Sequence, residues 1–280
     1  MVSSSGHGQT GPHGSQGGFD GCVNAISGRI YLAGWPDRGA VNPDDVPYAD
    51  IVHPLFSAIA MVAALDYKRR TGKGQYIDIS MVETNAHSIT PVLLDWQANA
   101  HLQIRIGNRI PNASPHGIFP CIGDDRWCAI TVFTNNEWEA FCHVIGDPAW
   151  TKEQRFATLS SRKENEDELE KLMGEWTVKH SAEEVMLMMQ AAGVPAGVVE
   201  NAEDLLEHDP QLKAREFLKP LKHPDLGVFP HPTPAYKLLK TEAQVRTAPV
   251  LGEHTEYVCT QLLGMSADEF AALNQEGVFS

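Results

Sequence analysis

Residues 46–83 read VPYADIVHPLFSAIAMVAALDYKRRTGKGQYIDISMVE. Ile51, Val52, Leu55, Phe56, Ile59, Met61, Val62 and Leu65 leave no polar stripe. The segment therefore predicts a helix buried inside a domain, not one lying on a surface. Lys68-Arg69-Arg70 stands where the negative pole of that helix favours cations. Gly72 and Gly74 supply a turn, and Tyr76 to Met81 alternates like a strand. Asp50 marks the helix entrance, where four backbone N–H groups lack partners. Two readings follow. Asp is a preferred N-cap residue, and capping explains most Asp residues so placed; the alternative is a carboxylate that those N–H groups keep ionised and oriented, a candidate nucleophile. Ile51, Val52, His53 and Pro54 come next, and Pro is tolerated in a first helical turn.

Composition narrows the classes of function. At 280 residues with 42% hydrophobic and 21% charged side chains, the chain can bury a large core and is not a disordered polymer. A net charge of −14 excludes the basic stripe that nucleic acid requires. No apolar run approaches a membrane span, and MVSSSGHGQTGP is not a signal peptide. The five cysteines are scattered, which points to reduced thiols and a cytoplasmic location. Metal-binding Cys or His spacings are absent, as are a phosphate loop and a G-x-S-x-G elbow, so metal: none is expected.

Elsewhere the chain divides by periodicity. Phe19 to Gly28 predicts a helix with Phe19, Cys22, Val23 and Ile26 on one side. Glu83 to Ala100 predicts a second apolar helix interrupted at Pro91. Arg105 to Gly117, RIGNRIPNASPHG, breaks the pattern and places a domain boundary. A hairpin is expected from Ile118–Ile122 and Trp127–Phe133. Asn135 or Asn136 would cap a helix carrying Trp138, Phe141, Cys142 and Ile145. Charged helical spacing follows over 164–180, and Ser181 with Glu184 forms a capping box for the next helix. AGVPAGVVE, 192–200, reads as a turn and strand. Beyond Gln211, prolines dominate and the chain reads as a return crossing; Ser266 and Glu269 cap a last helix.

Across these segments the sequence resembles the class III CoA-transferase family of the CaiB/BaiF type. The resemblance rests on PYADIVHPLFSAIAMVAALDYKRRTGKGQYIDISMVE, SSGHGQTGP, GGFDGCVNAISG, RIGNRIPNASPHGIFPCIGDDRWCAITV, AGVPAGVVENAEDLLEHDPQLKAREF and APVLGEHTEYV. It implies an α/β fold: a partial Rossmann-like large domain, 1–110 with 215–280 returning to it, and a smaller α+β domain at 111–214. It also implies that an N-terminal nucleotide-binding portion, carried by relatives before SSSGHGQTGP, is missing here. By position Asp50 is the catalytic residue, the one that attacks an acyl-CoA thioester. Ser5, Gly6, His7 and Gly8 become CoA-binding candidates. Pro115, His116 and Gly117 become the counterpart of a Gly-containing loop that closes over the substrate.

The implied reaction moves CoA from an acyl-CoA to a carboxylic acid through an aspartyl anhydride and an aspartyl-CoA thioester. Coenzyme A is then a substrate, not a resident cofactor. The implied partners are a second copy of the chain, interlocked in relatives, or a complementary N-terminal polypeptide, with no nucleic acid and no membrane. Related α-methylacyl-CoA racemases carry a His where this chain has Phe19, which cannot move a proton, so racemase chemistry is disfavoured. A non-catalytic fragment or partner subunit is the remaining alternative.

Overall fold

Val2–Ser5 (β1) and Ile77–Ser80 (β2) pair in parallel, from Val2 opposite Ile77 to Ser5 opposite Ser80. A parallel pair needs a long crossover. Here it carries Asp20–Ile26 (α1), Arg29–Leu32 (α2) and the 24-residue Tyr48–Thr71 (α3). The computed structural model describes residues 1–42 and 47–279. Val46, where the predicted helix–turn–strand stretch begins, lies outside the described residues. These elements belong to the first of two compact units, Met1–Val199 and Glu200–Ser280.

α3 ends as its sequence predicts, with three basic residues in the last turn and Gly72 at φ 73°. Its environment does not match. Only Ala49 and His53 are buried, whereas Ile51, Leu55, Ile59, Val62 and Leu65 are 52–69% exposed. The expectation of an all-round buried helix is overturned for the chain by itself. An apolar circumference states a need for cover, and the packing of α1 and β2 leaves most of that need unmet. By length and composition α3 could also cross a membrane, which corrects the reading that nothing reaches that length.

Met81–Ser88 (α4) and Thr90–Asn99 (α5) replace the single helix expected over 83–100. The break falls at Ile89, and Pro91 sits at the start of α5, where its missing N–H is harmless. α1 also turns a different face inward. Val23, Asn24 and Ser27 are buried while Phe19 is 88% exposed. Asn24 is drawn in by hydrogen bonds, a force that apolar periodicity does not register.

The rest of the first unit is built on an antiparallel sheet of His116–Pro120 (β3), Trp127–Thr131 (β4) and Ala196–Val198 (β5). The predicted hairpin is present, starting at His116. Asn135–Val144 (α6), Leu159–Glu164 (α7), Glu166–Thr177 (α8) and Ala182–Ala191 (α9) accompany it. The cap of α6 is Thr134, in a reciprocal box with Glu137, and not Asn135 or Asn136. The charged helix expected over 164–180 is present as α8, preceded by the short α7 that ends at Glu164. Ser181 and Glu184 form the predicted box at α9. Phe119, Ile130, Val132, Phe141, Phe156, Leu169, Met173, Val185 and Met189 close a continuous apolar core.

In the second unit, Pro210–Ala214 (α10) precedes a hairpin that the proline content concealed, Leu218–His223 (β6) with Gly227–Pro232 (β7). Pro220 faces Pro230 and Leu218 faces Pro232. Successive opposed pairs alternate in kind, so pairs two residues apart share one kind; these prolines occupy the non-hydrogen-bonded positions, where no ladder donor is lost. Short Thr255–Tyr257 (α11) and Ala267–Gln275 (α12) follow. Ser266 caps α12 by accepting the Glu269 N–H, as expected.

Candidate active site

Asp50 is the third residue of α3, within its first turn, so it is not the N-cap. Pro47 occupies the cap position and has no side-chain acceptor to offer. Asp20, reaching in from α1, does that work: its Oδ1 accepts the Ala49 N–H at 2.7 Å. Asn24 Nδ2 donates to the other oxygen of Asp20 at 2.7 Å, and Asn85 Nδ2 donates to Asn24 Oδ1 at 2.7 Å. Both asparagines are fully buried. With the Ala49 N–H satisfied from outside, the exposed Asp50 carboxylate has no hydrogen bond or ion pair among the described residues. It keeps the favourable field of the helix N-terminus.

Pro54 is the seventh residue of α3, in its second turn, not the first as expected. A proline there supplies no N–H to the carbonyl four residues back, which is that of Asp50.

One turn after Asp50 comes His53, 4% exposed. Its Nε2 lies 2.6 Å from Ser4 Oγ on β1, and its Nδ1 lies 3.3 Å from Thr84 Oγ1 on α4. Burial lowers the His53 pKa from its ordinary value, with the Asp50 charge acting weakly the other way.

The candidate CoA-binding residues Ser5, Gly6, His7 and Gly8 run directly from β1 past this turn. Gly6 O accepts the Val82 N–H at 3.0 Å and the Ser80 hydroxyl at 3.4 Å. Gln9 N–H donates to both Asp78 oxygens, at 3.1 and 3.0 Å. Gly8 is buried at φ 82°, where a Cβ would meet Ser80 Cβ at 3.6 Å. The buried Ser5 hydroxyl has no hydrogen-bond partner.

Pro115, His116 and Gly117 lie on and beside β3. The His116 ring is half-buried, and its Nδ1 donates to Asn108 O. The preceding segment is held down at several points. Arg162 Nε donates to Ser114 O at 2.8 Å, and Lys163 Nζ to Ile110 O at 2.8 Å. Arg109 bridges Asp167 at 2.5 Å and Glu170 at 2.7 Å. A groove of about 1280 Å³ opens here, bordered by Trp35, Arg109, Gly117, Trp127 and Lys163. Among the described residues no hydrogen bond joins 115–117 to Asp50 or to Ser5–Gly8.

All five cysteines are free. Burial pushes the thiols of Cys128 and Cys142 up to about 12 and about 11, so neither is a nucleophile at neutral pH. No His, Cys, Asp and Glu cluster suited to a metal occurs among the described residues.

The constellation is thus an unengaged carboxylate in a first helical turn, braced by Asp20 and His53, beside a glycine-bearing segment. A carboxylate of this kind can add to an activated carbonyl without a general base. Ser4, Asp20, Asn24, His53, Thr84 and Asn85 were not singled out from the sequence. The one available signal was polar residues, Asn24 and Asn85, in otherwise core-forming helices.

Residues 1–255 match the model of CoA-transferase family III. This chain belongs to that family. A succinyl-CoA–D-citramalate CoA-transferase of Chloroflexus aurantiacus is 32% identical over 99% of the chain and 69% of its own length. A probable CoA-transferase of Mycobacterium tuberculosis, Rv1866, is 32% identical over 99% of the chain and 36% of its own length. The crystal structure of a CAIB/BAIF family protein from Brucella suis superposes with a TM-score of 0.83 at 28% identity, covering 93% of this chain and 67% of that one. The α/β fold expected from the family resemblance is therefore present. The chain spans only part of the length of each of these relatives.

Proposed function

We propose that the family III chain transfers CoA between carboxylic acids, with Asp50 as nucleophile. The observation that carries this is the exposed, unengaged Asp50 carboxylate beside a helix start whose Ala49 N–H Asp20 already accepts. An Asp50 oxygen adds to the thioester carbonyl, and the C–S bond breaks to release CoA thiolate and leave an acyl–aspartyl anhydride. The thiolate then adds to the aspartyl carbonyl, forming an aspartyl-CoA thioester and freeing the donor acid. An acceptor carboxylate attacks that thioester to give a second acyl–aspartyl anhydride and CoA thiolate, and the thiolate takes the new acyl group as the Asp50 carboxylate leaves. Backbone N–H groups of the α3 start and of the segment after Ser5 are the available oxyanion donors. Ser5, Gly6, His7 and Gly8 would lie along the CoA chain. Pro115, His116 and Gly117 would help exclude water, which would otherwise hydrolyse the anhydride.

Succinyl-CoA with a hydroxy-dicarboxylic acid is the natural first pair to assay, by analogy with the Chloroflexus relative. The expected result is a new acyl-CoA, lost in Asp50→Asn, and an Asp50 adduct trapped by hydroxylamine. Turnover with Asp50 unmodified would overturn the assignment. Racemisation is disfavoured by Phe19, 88% exposed and without a titratable atom; α-proton exchange lacking any acceptor acid would reverse that.

The uncovered side of α3 supports a protein partner, either a second copy or a polypeptide carrying the N-terminal nucleotide-binding portion. The assay is therefore run with and without that portion added. The large-domain boundary near residue 110 and a cytoplasmic location complete the reading.

A further inference from the structure

The geometry points to His53 as the positioning residue of this site, a neutral Nδ1–H imidazole that braces the Asp50 turn against β1 and α4 and leaves the carboxylate unpaired. This rests on Asp50 being the nucleophile. Residues three apart on a helix share a face, so His53 lies next to Asp50 along α3. Ser4 and Thr84, 49 and 31 residues away in the chain, meet the two ring nitrogens. Thr84 spends its single hydroxyl proton on Met81 O at 2.9 Å. Its Oγ1 therefore acts toward His53 as an acceptor, and Nδ1 must carry the ring proton. Nε2 is then a lone pair that receives the Ser4 hydroxyl.

A second ring proton would undo both functions. Nε2 would no longer accept from Ser4, and a cation would stand one turn from Asp50, pairing the carboxylate and weakening it as a nucleophile. The charged neighbours do not supply that proton's stabilisation. Asp20 on α1 is occupied by Ala49 and Asn24, and Asp78 on β2 by Gln9. On α4, the His87 ring stacks on Phe56 of α3, and Glu83 lies in the first turn. β1 carries no titratable side chain, and only Asp50 acts on the His53 charge. The depressed pKa fixes the direction of the linkage. Below the ordinary value of 6.5 the unfolded chain binds the proton more readily. This contribution to stability is therefore complete above 6.5 and is lost as pH falls.

The test is nitrogen-15 NMR of the full chain labelled at histidine, with an acid titration. The expected spectrum shows His53 as the Nδ1–H tautomer at neutral pH, titrating below 6.5, and titrating lower still in Asp50→Asn. An Nε2–H tautomer, or a titration indifferent to Asp50→Asn, would overturn the inference. Transfer activity separates it from the parent reading. Loss of transfer in Asp50→Asn with His53 unmoved leaves the nucleophile standing and removes His53. Retained transfer in that variant removes the nucleophile whatever the ring does. His53→Asn keeps an N–H donor yet cannot be protonated. Its kcat should fall about ten- to a hundredfold with KM little changed, and the part of the acid fall in rate that follows the His53 titration seen by NMR should vanish. An acid limb unchanged at the pH of the wild-type His53 titration would count against the proposal. Ser4→Ala and Thr84→Val, each freeing one nitrogen, should shift the tautomer signal even where His53→Asn folds poorly.

Discussion

The two parts of the first unit are held together by different forces. Between residues 116 and 199, Phe141, Phe156, Leu169, Met173, Val185 and Met189 are sealed in an ordinary apolar core. Between 1 and 100, the buried side chains among the described residues are Asn24, Ser27, His53, Ser80, Thr84 and Asn85, with Val23 and Ala49 the apolar exceptions. The first part derives stability from area removed from water. The second derives orientation from hydrogen bonds, each of which adds little net stability but is expensive to break when buried. The candidate nucleophile belongs to the second part, where directional bonds specify geometry more narrowly than apolar contact does.

Substitutions can sharpen or break that contrast. The largest effect on stability should come from Phe141→Ala, about 3–5 kcal/mol by thermal or denaturant unfolding. A cost below about 1 kcal/mol would mean the apolar core is not the stabilising body. Asp20→Ala strands the Ala49 N–H and the Asn24 amide, so about 1–3 kcal/mol should be lost together with CoA transfer. Full activity in that variant would detach the polar network from the site. Removal of the α6 cap in Thr134→Ala should cost about 1 kcal/mol without touching transfer. The smallest change is expected for Ile59→Ser on the uncovered side of α3, within about 0.5 kcal/mol for the chain by itself. A loss of several kcal/mol that grows with protein concentration would instead show that another surface covers α3.

The sequence disclosed what periodicity can encode. Trp138, Phe141 and Cys142 announced the buried face of α6, and Ser181 with Glu184 announced the start of α9. The limits of α3 were legible too, because Lys68–Arg70 and Gly72 mark its end. Its surroundings were not, since an apolar circumference carries no information about which chain supplies the cover. Asp50 was legible as a position and misplaced as a cap, because the residue that accepts the Ala49 N–H lies 29 positions away in α1. Pairings such as Ser4 with His53 or Asn24 with Asn85 span too many residues to leave a repeat. The β6–β7 hairpin was hidden because its prolines fall at positions that the ladder does not use.

Pro54 has a mechanical consequence. Without its N–H, the backbone linkage between the first turn of α3 and the apolar rod beyond it lacks a rung, at the carbonyl of Asp50 itself. That turn is meanwhile tied sideways by Asp20, Ser4 and Thr84. The proposed nucleophile is therefore suspended from the sheet and the short helices around it.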